Sequence, residues 1–182
     1  MTVNAKRPST LSTKRRRPTL AQRKEALAET IFPEITELQK WQYKTSGGFF
    51  SVPRTICLIM RIMDSLVKGK KLSIVYLDIT SRTYADYFVE VENPKKMATS
   101  SGFDGQRAIY DWKDRIKILE EYGFIKTAPG ENGDISYIFV INPYLVIKNL
   151  RVEGKVPDLL YNALFARAEK IGAKEAKSVL SN

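Results

Sequence analysis

At 182 residues, 43% of them hydrophobic, the chain is long enough for one domain with a real core, or for a small domain with extended ends. Its 30 Lys and Arg against 20 Asp and Glu give a formal charge of +10, which points to a polyanionic partner. With no histidine and a single cysteine, His-based triads, His-ligated metals and intrachain disulfides are excluded; Cys57, inside an apolar run, is expected to be a packed thiol in a reducing compartment.

The charge is concentrated at the start. Lys6, Arg7, Lys14, Arg15, Arg16, Arg17, Arg23 and Lys24 all precede the first carboxylate, which leaves 22 basic and 20 acidic residues in the rest. Residues 1–18 carry almost no large apolar side chain and are expected to be a disordered basic arm, with Lys14, Arg15, Arg16 and Arg17 as its phosphate-seeking cluster. The same "TKRRRP" would pass as a nuclear localisation signal, a match that any short basic cluster provides. No apolar signal core is present in "MTVNAKRPST", and a soluble, cytoplasmic protein is expected. From Thr19 the pattern is helical, with Leu20, Leu27 and Ile31 on one side, until Pro33 interrupts. Ile35, Leu38 and Trp41 make a second short amphipathic piece, so that 19–45 reads as an N-terminal helical extension ended by "SGG" at 46–48.

In "SVPRTICLIMRIMDSLVKGKK" Ser51 can cap a helix, Pro53 sits in its first turn, Ile59, Ile62, Met63 and Leu66 follow at helical spacing, and Gly69 ends it. "KLSIVYLDI" at 71–79 and "YADYFVEVE" at 84–92 are dense in β-branched and aromatic residues and predict strands. Residues 93–101 predict a short helix with Asn93 as cap and Pro94 in first position; Gly102 to Gly105 make a turn. A long helix follows from about Gln106 to Tyr122, because Ile109, Trp112, Ile116 and Leu119 recur at three and four residues, and Gly123 fits its left-handed end. "FIKT" and "ISYIFVI" then flank "APGENGD", which reads as a hairpin loop. Residues 155–182 predict a C-terminal helix and tail, with Pro157 near the start and Leu160, Leu164, Ala168 and Ile171 on one side. No run crosses a bilayer: Arg61 breaks "TICLIMRIM", and Asn142 with Pro143 breaks "YIFVINPYLVI".

If Ile109, Trp112, Ile116 and Leu119 pack inward, then Gln106, Arg107, Tyr110, Lys113, Asp114 and Lys117 lie on or beside the opposite face. Gln106 and Arg107 are of the types that pair with adenine and guanine edges, and Tyr110 joins them as a base contact. Lys95, Lys96, Ser101, Lys113, Lys117 and Lys126 are placed for phosphates, while Trp112 at a core-facing position is assigned to packing. Short helix, turn, long helix and hairpin over 51–142, with "RIKILEEYGFIKT" closing the long helix and opening the hairpin, resembles the winged helix-turn-helix superfamily. The nearest flavour is that of replication and transcription regulators of plasmids and other mobile elements. The resemblance implies an α+β fold with a winged core over 51–150, a β-hairpin wing, extra helices at both ends, double-stranded DNA as partner and no catalysis. The chain departs from the smallest versions by the two strands expected between the first helix and the helix pair.

Three rivals fit parts of the chain. "VEV", a short helix, "GFDG" at Gly102–Gly105, a longer helix and "FIKT" resemble a KH module for RNA or single strands, but Asp104 puts a carboxylate where that loop would clamp phosphate. Asp78, Asp86, Glu90 and Glu92, with "EGK" at 153–155 and "EAK" at 175–177, are fragments that a nuclease would use; chance supplies them freely in a chain this rich in Glu and Lys. No phosphate-cradling Gly-Lys-Ser/Thr loop occurs, and no cofactor, metal or small-molecule substrate is expected. The apolar stripes at 19–41 and 157–172 suit either packing or dimerisation, and a homodimer is the expected assembly.

Overall fold

The computed structural model describes residues 18–36, 48–83 and 87–181. The basic cluster Lys14–Arg17, and Leu38 and Trp41 of the second amphipathic piece, lie outside the described residues. The chain forms two compact units, Met1–Phe49 and Phe50–Asn182. Residues 155–182 thus belong to the same unit as 51–150. In the first unit, α1 (Leu20–Ile31) opens at a capping box, Thr19 accepting from the Gln22 amide and Gln22 accepting from the Thr19 amide, and none of its residues is buried.

The second unit is α+β: helices α2 (Ile56–Leu66), α3 (Ser73–Arg82), α4 (Pro94–Ser100), α5 (Ala108–Glu121), α6 (Pro143–Val152), α7 (Asp158–Lys170) and α8 (Lys174–Leu180), with strands β1 (Phe88–Glu90), β2 (Ile125–Gly130) and β3 (Gly133–Val140). The sheet is antiparallel, in the order β1-β3-β2. Its inner face, with Val89, Ile125 and Ile138, closes one core with Ile59, Ile62 and Met63 of α2, Val75 and Ile79 of α3, and Trp112, Ile116 and Leu119 of α5. The C-terminal helices join that core: α7 packs on α2 and α6 on α8, with a buried hydrogen bond between the Tyr144 and Thr55 hydroxyls (2.6 Å) and one from Tyr161 to the Leu180 carbonyl (2.7 Å). Among the described residues no helix is long and apolar enough to cross a membrane.

Several expectations are corrected. The strand expected at 71–79 is helix α3. Leu72, Val75, Tyr76 and Ile79 recur at helical spacing and are all buried, and the helix start is capped from a distance: Asp64 accepts from the Leu72 and Ser73 amides (2.8 and 2.9 Å) and from the Ser73 hydroxyl (2.8 Å). β-branched density was therefore overridden by a tertiary cap and a buried helical stripe. The strand expected at 84–92 is three residues long, Phe88–Glu90, and 84–86 lie outside the described residues. "APGENGD" is mostly strand, leaving Glu131 and Asn132 as the loop. There the chain pinches at Gly130, where a Cβ would lie 2.7 Å from the Tyr137 ring and 2.8 Å from the Ser136 Cβ, and Ser136 ties the turn by accepting from the Asn132 amide and donating to the Gly133 carbonyl. The helix expected from Ser51 begins at Ile56, α6 was not expected, Cys57 is exposed rather than packed, and Ile109 is 40% exposed instead of inward.

Candidate nucleic-acid interface

Helices α4 and α5 and the turn between them are held from three sides. Asn93 caps α4 by accepting from the Lys96 amide (3.1 Å), with Pro94 in first position as expected. At its other end the Phe103 amide donates to the Ala98 carbonyl (2.9 Å), with Gly102 at φ +83 and the Phe103 ring packed on the core, a Schellman closure. Nothing lies within 4 Å of the Cβ that Gly102 lacks, so the constraint there is backbone conformation alone. Gly102→Ala is expected to cost about 1 kcal/mol in urea unfolding, from left-handed strain.

The second hold is a carboxylate. Asp78 on α3 takes a bidentate fork from Arg82 (3.1 and 3.2 Å) and the Ser101 hydroxyl (3.3 Å), while Arg82 also donates to the Ser100 hydroxyl (2.7 Å). The end of α4 is thereby fastened to the end of α3. Ser101 is 2% exposed, so its expected phosphate contact is corrected to a structural bond. Reading 71–79 as a strand hid this clamp, because Asp78 and Arg82 stand four residues apart and meet only on a helix.

The third hold fixes α5. Asp114 accepts from Lys70 (2.8 and 3.0 Å) and from Arg115 (2.5 Å), and Glu120 accepts from the Thr127 amide (2.6 Å) and hydroxyl, joining α5 to β2. Asp114 was expected on or beside the outward face; it is engaged with Lys70 instead. The Lys70 ammonium first, and Arg115 after it, hold the Asp114 carboxyl below its ordinary range against the opposing effect of burial. A carboxyl depressed in the folded state stabilises above its unfolded pKa, about 3.9, and that contribution disappears as pH falls through the folded value. Asp114→Ala is accordingly expected to lower stability by about 1 kcal/mol at pH 7, a modest figure because the pair is partly exposed. Urea titrations should show the difference from wild type shrinking only below about pH 4.

With Asp114 and Glu120 committed elsewhere, the outward side carries Gln106 just ahead of α5, then Tyr110, Lys113, Lys117 and Glu121, beside Arg107. Gln106, Arg107, Tyr110 and Lys117 are exposed, and Lys113 is half-buried with no acidic partner among the described residues. The Arg107 guanidinium lies over the Tyr110 ring, 5.0 Å from its centroid, which pre-orients it at the helix start. Lys117 stands 3.9 Å from Glu121, a weak contact between two exposed side chains. Trp112 is fully buried, as expected of a packing residue.

Lys95 and Lys96 are exposed on α4. Lys96 and Arg82 line one groove with Glu90 and Glu92, so Arg82 is a cation of this region that sequence reasoning missed. Lys126 is not brought to the same side. Its register opposite Phe139 puts it on the outer face of the sheet, because alternation buries its neighbour Ile125 against the core. The hairpin tip carries Glu131 and Asp134 and no cation, so the wing adds no positive charge beyond Lys126. In the turn Asp104 is exposed. Among the described residues no three His, Cys, Asp or Glu side chains gather as a metal site. Comparison with protein-family models, with curated proteins and with solved structures returned no match.

Proposed function

We propose that the chain is a sequence-specific, non-catalytic double-stranded DNA-binding protein of winged-helix type, serving as a regulator or replication initiator of a plasmid or other mobile element. The observation that carries the reading is the order α3, β1, α4, turn, α5, β2, β3 with the sheet arranged β1-β3-β2, in which the long helix turns Arg107, Lys113 and Lys117, with Gln106 ahead of them, towards solvent. The first helix of the reader is then α3 rather than the 51–66 segment, and α2 and α6–α8 are additions around it. Laid in the major groove, α5 would present Arg107 to guanine O6 and N7, Gln106 to an adenine edge and Tyr110 beside them. Lys95 and Lys96 from α4, with Lys113 and Lys117 from α5, would hold the flanking phosphates. The basic cluster Lys14–Arg17 adds affinity without sequence choice, as backbone neutralisation does. A symmetric pair of such readers would select a repeated half-site.

Selection of bound sequences from a random duplex pool tests this: an enriched motif is expected, and its absence would count against base reading. A second reading keeps a specific observation in its favour. Gly102 and Gly105 both have positive φ and lie between β1–α4 and α5–β2, the order of a KH glycine loop. The exposed Asp104 carboxylate weighs against it, since it would face a phosphate. A parallel selection on single-stranded RNA separates the two.

A further inference from the structure

The outer face of the three-stranded sheet is aromatic where a water-facing antiparallel sheet is ordinarily polar. Register sets Lys126, Phe139 and Phe88 in one row across β2, β3 and β1, and Ala128, Tyr137 and Glu90 in the next. Phe139 is 45% and Phe88 38% exposed, and the Phe88 and Tyr137 rings stack with centroids 5.7 Å apart. Lys126 and Glu90 are both exposed and occupy opposite corners of this patch; neither has an ion-pair partner among the described residues. From strand spacing and rise the corners stand about 12 Å apart, with the aromatic rings between them.

We propose that this face is a self-association surface whose occupant is a second copy of the chain. A two-fold axis lying between two such faces, perpendicular to the Lys126–Glu90 diagonal, exchanges the corners, so Lys126 of each protomer meets Glu90 of its partner with the aromatic rings of both faces between the two pairs. One operation makes both ion pairs around a dry aromatic centre, the arrangement in which cross-interface charges specify register. A nucleic acid suits this face less well, because Glu90 stands on it and Glu92 lines the adjoining groove. The proposal deepens the dimer in the functional reading by giving it a surface, yet the face lies across the sheet from α5 and does not depend on what α5 binds. Its test is therefore run without DNA.

Sedimentation velocity of the full chain from about 1 to about 100 µM is expected to show a monomer–dimer equilibrium. Lys126→Glu and Glu90→Lys, each replacing two attractions by two repulsions, should weaken it about tenfold or more, and the double exchange should restore it. Both positions are exposed, and unchanged melting temperatures of the single variants would keep a folding defect out of the comparison. A wild type that stays monomeric, a dimer indifferent to the single exchanges, or a double exchange that fails to rescue would each overturn the proposal. So would a labelled oligothymidine bound by monomeric protein and released by Phe139→Ala, which would give the face to single strands.

Discussion

Arg107→Ala is expected to weaken binding to the selected duplex by about 1–3 kcal/mol, roughly fivefold to 150-fold, and binding to random duplex far less. The asymmetry follows from placement. Arg107 is exposed at the start of α5 and stacked on Tyr110, so its guanidinium is already oriented and loses little freedom on meeting a guanine. Arg107→Lys separates charge from shape, since it keeps the cation and loses the planar fork; most of the same loss on the selected duplex is expected, with an unchanged salt slope. Fluorescence anisotropy on both duplexes at two salt concentrations reads all three quantities. Equal losses on selected and random DNA would assign Arg107 to phosphate, and the base-reading role would then fall to Gln106 or to nothing.

What could be read from the sequence was whatever rested on local chemistry. The cap at Asn93 with Pro94, the turn opened by Gly102, the left-handed end at Gly123 and the buried spacing of Trp112, Ile116 and Leu119 each depend on residues within a turn or two of one another, and each is present. What could not be read depended on partners distant in sequence. Helix α3 is started by Asp64, eight and nine residues upstream of the amides it caps, and without that cap "SIVYLDI" has the composition of a strand. Ile109 obeys the same periodicity as Trp112 yet is 40% exposed, so spacing alone did not decide which side of the first turn of α5 is covered. The candidate site divides the same way. Exposure of Gln106, Arg107, Tyr110 and Lys117 follows from periodicity, whereas the fates of Ser101 and Lys126 were set by Asp78 across a helix boundary and by strand register.

Charge counting alone could not decide whether α5 offers a usable field. Between Asn93 and Thr127 basic and acidic residues are nearly balanced along the sequence. In three dimensions the balance is broken by sorting. Asp114 is drawn to Lys70 and Arg115, and Glu120 to Thr127, so two of the carboxylates of α5 spend their charge or their acceptor capacity on fastening the helix in place. Lys70 and Arg115 thus balance the charge of Asp114 while fixing the helix, whereas Glu120 keeps its charge and is turned to Thr127. Neutralising Lys70 would therefore act in two ways, loosening α5 and releasing a carboxylate beside the face proposed to meet phosphate.

Trp112→Ala is expected to destabilise the chain by about 3–5 kcal/mol, a large share of what a unit of this size has to lose. The indole is fully buried between α5 and the rest of the core, and its removal leaves a cavity that neighbours held by the Asp78 and Asp114 clusters cannot collapse to fill. Trp112→Phe should behave differently. The Trp112 Nε1 is buried and meets no hydrogen-bond partner among the described residues, so phenylalanine gives up volume but also removes an unsatisfied donor, and the two effects offset to a net cost of about 1 kcal/mol. Urea unfolding with an unchanged slope reads both values. The proposed DNA affinity of the folded fraction should survive either substitution, because Trp112 supports α5 from behind and does not reach solvent. A variant with wild-type stability and lost DNA binding would instead make the tryptophan a contact, and would require a surface that this packing does not provide.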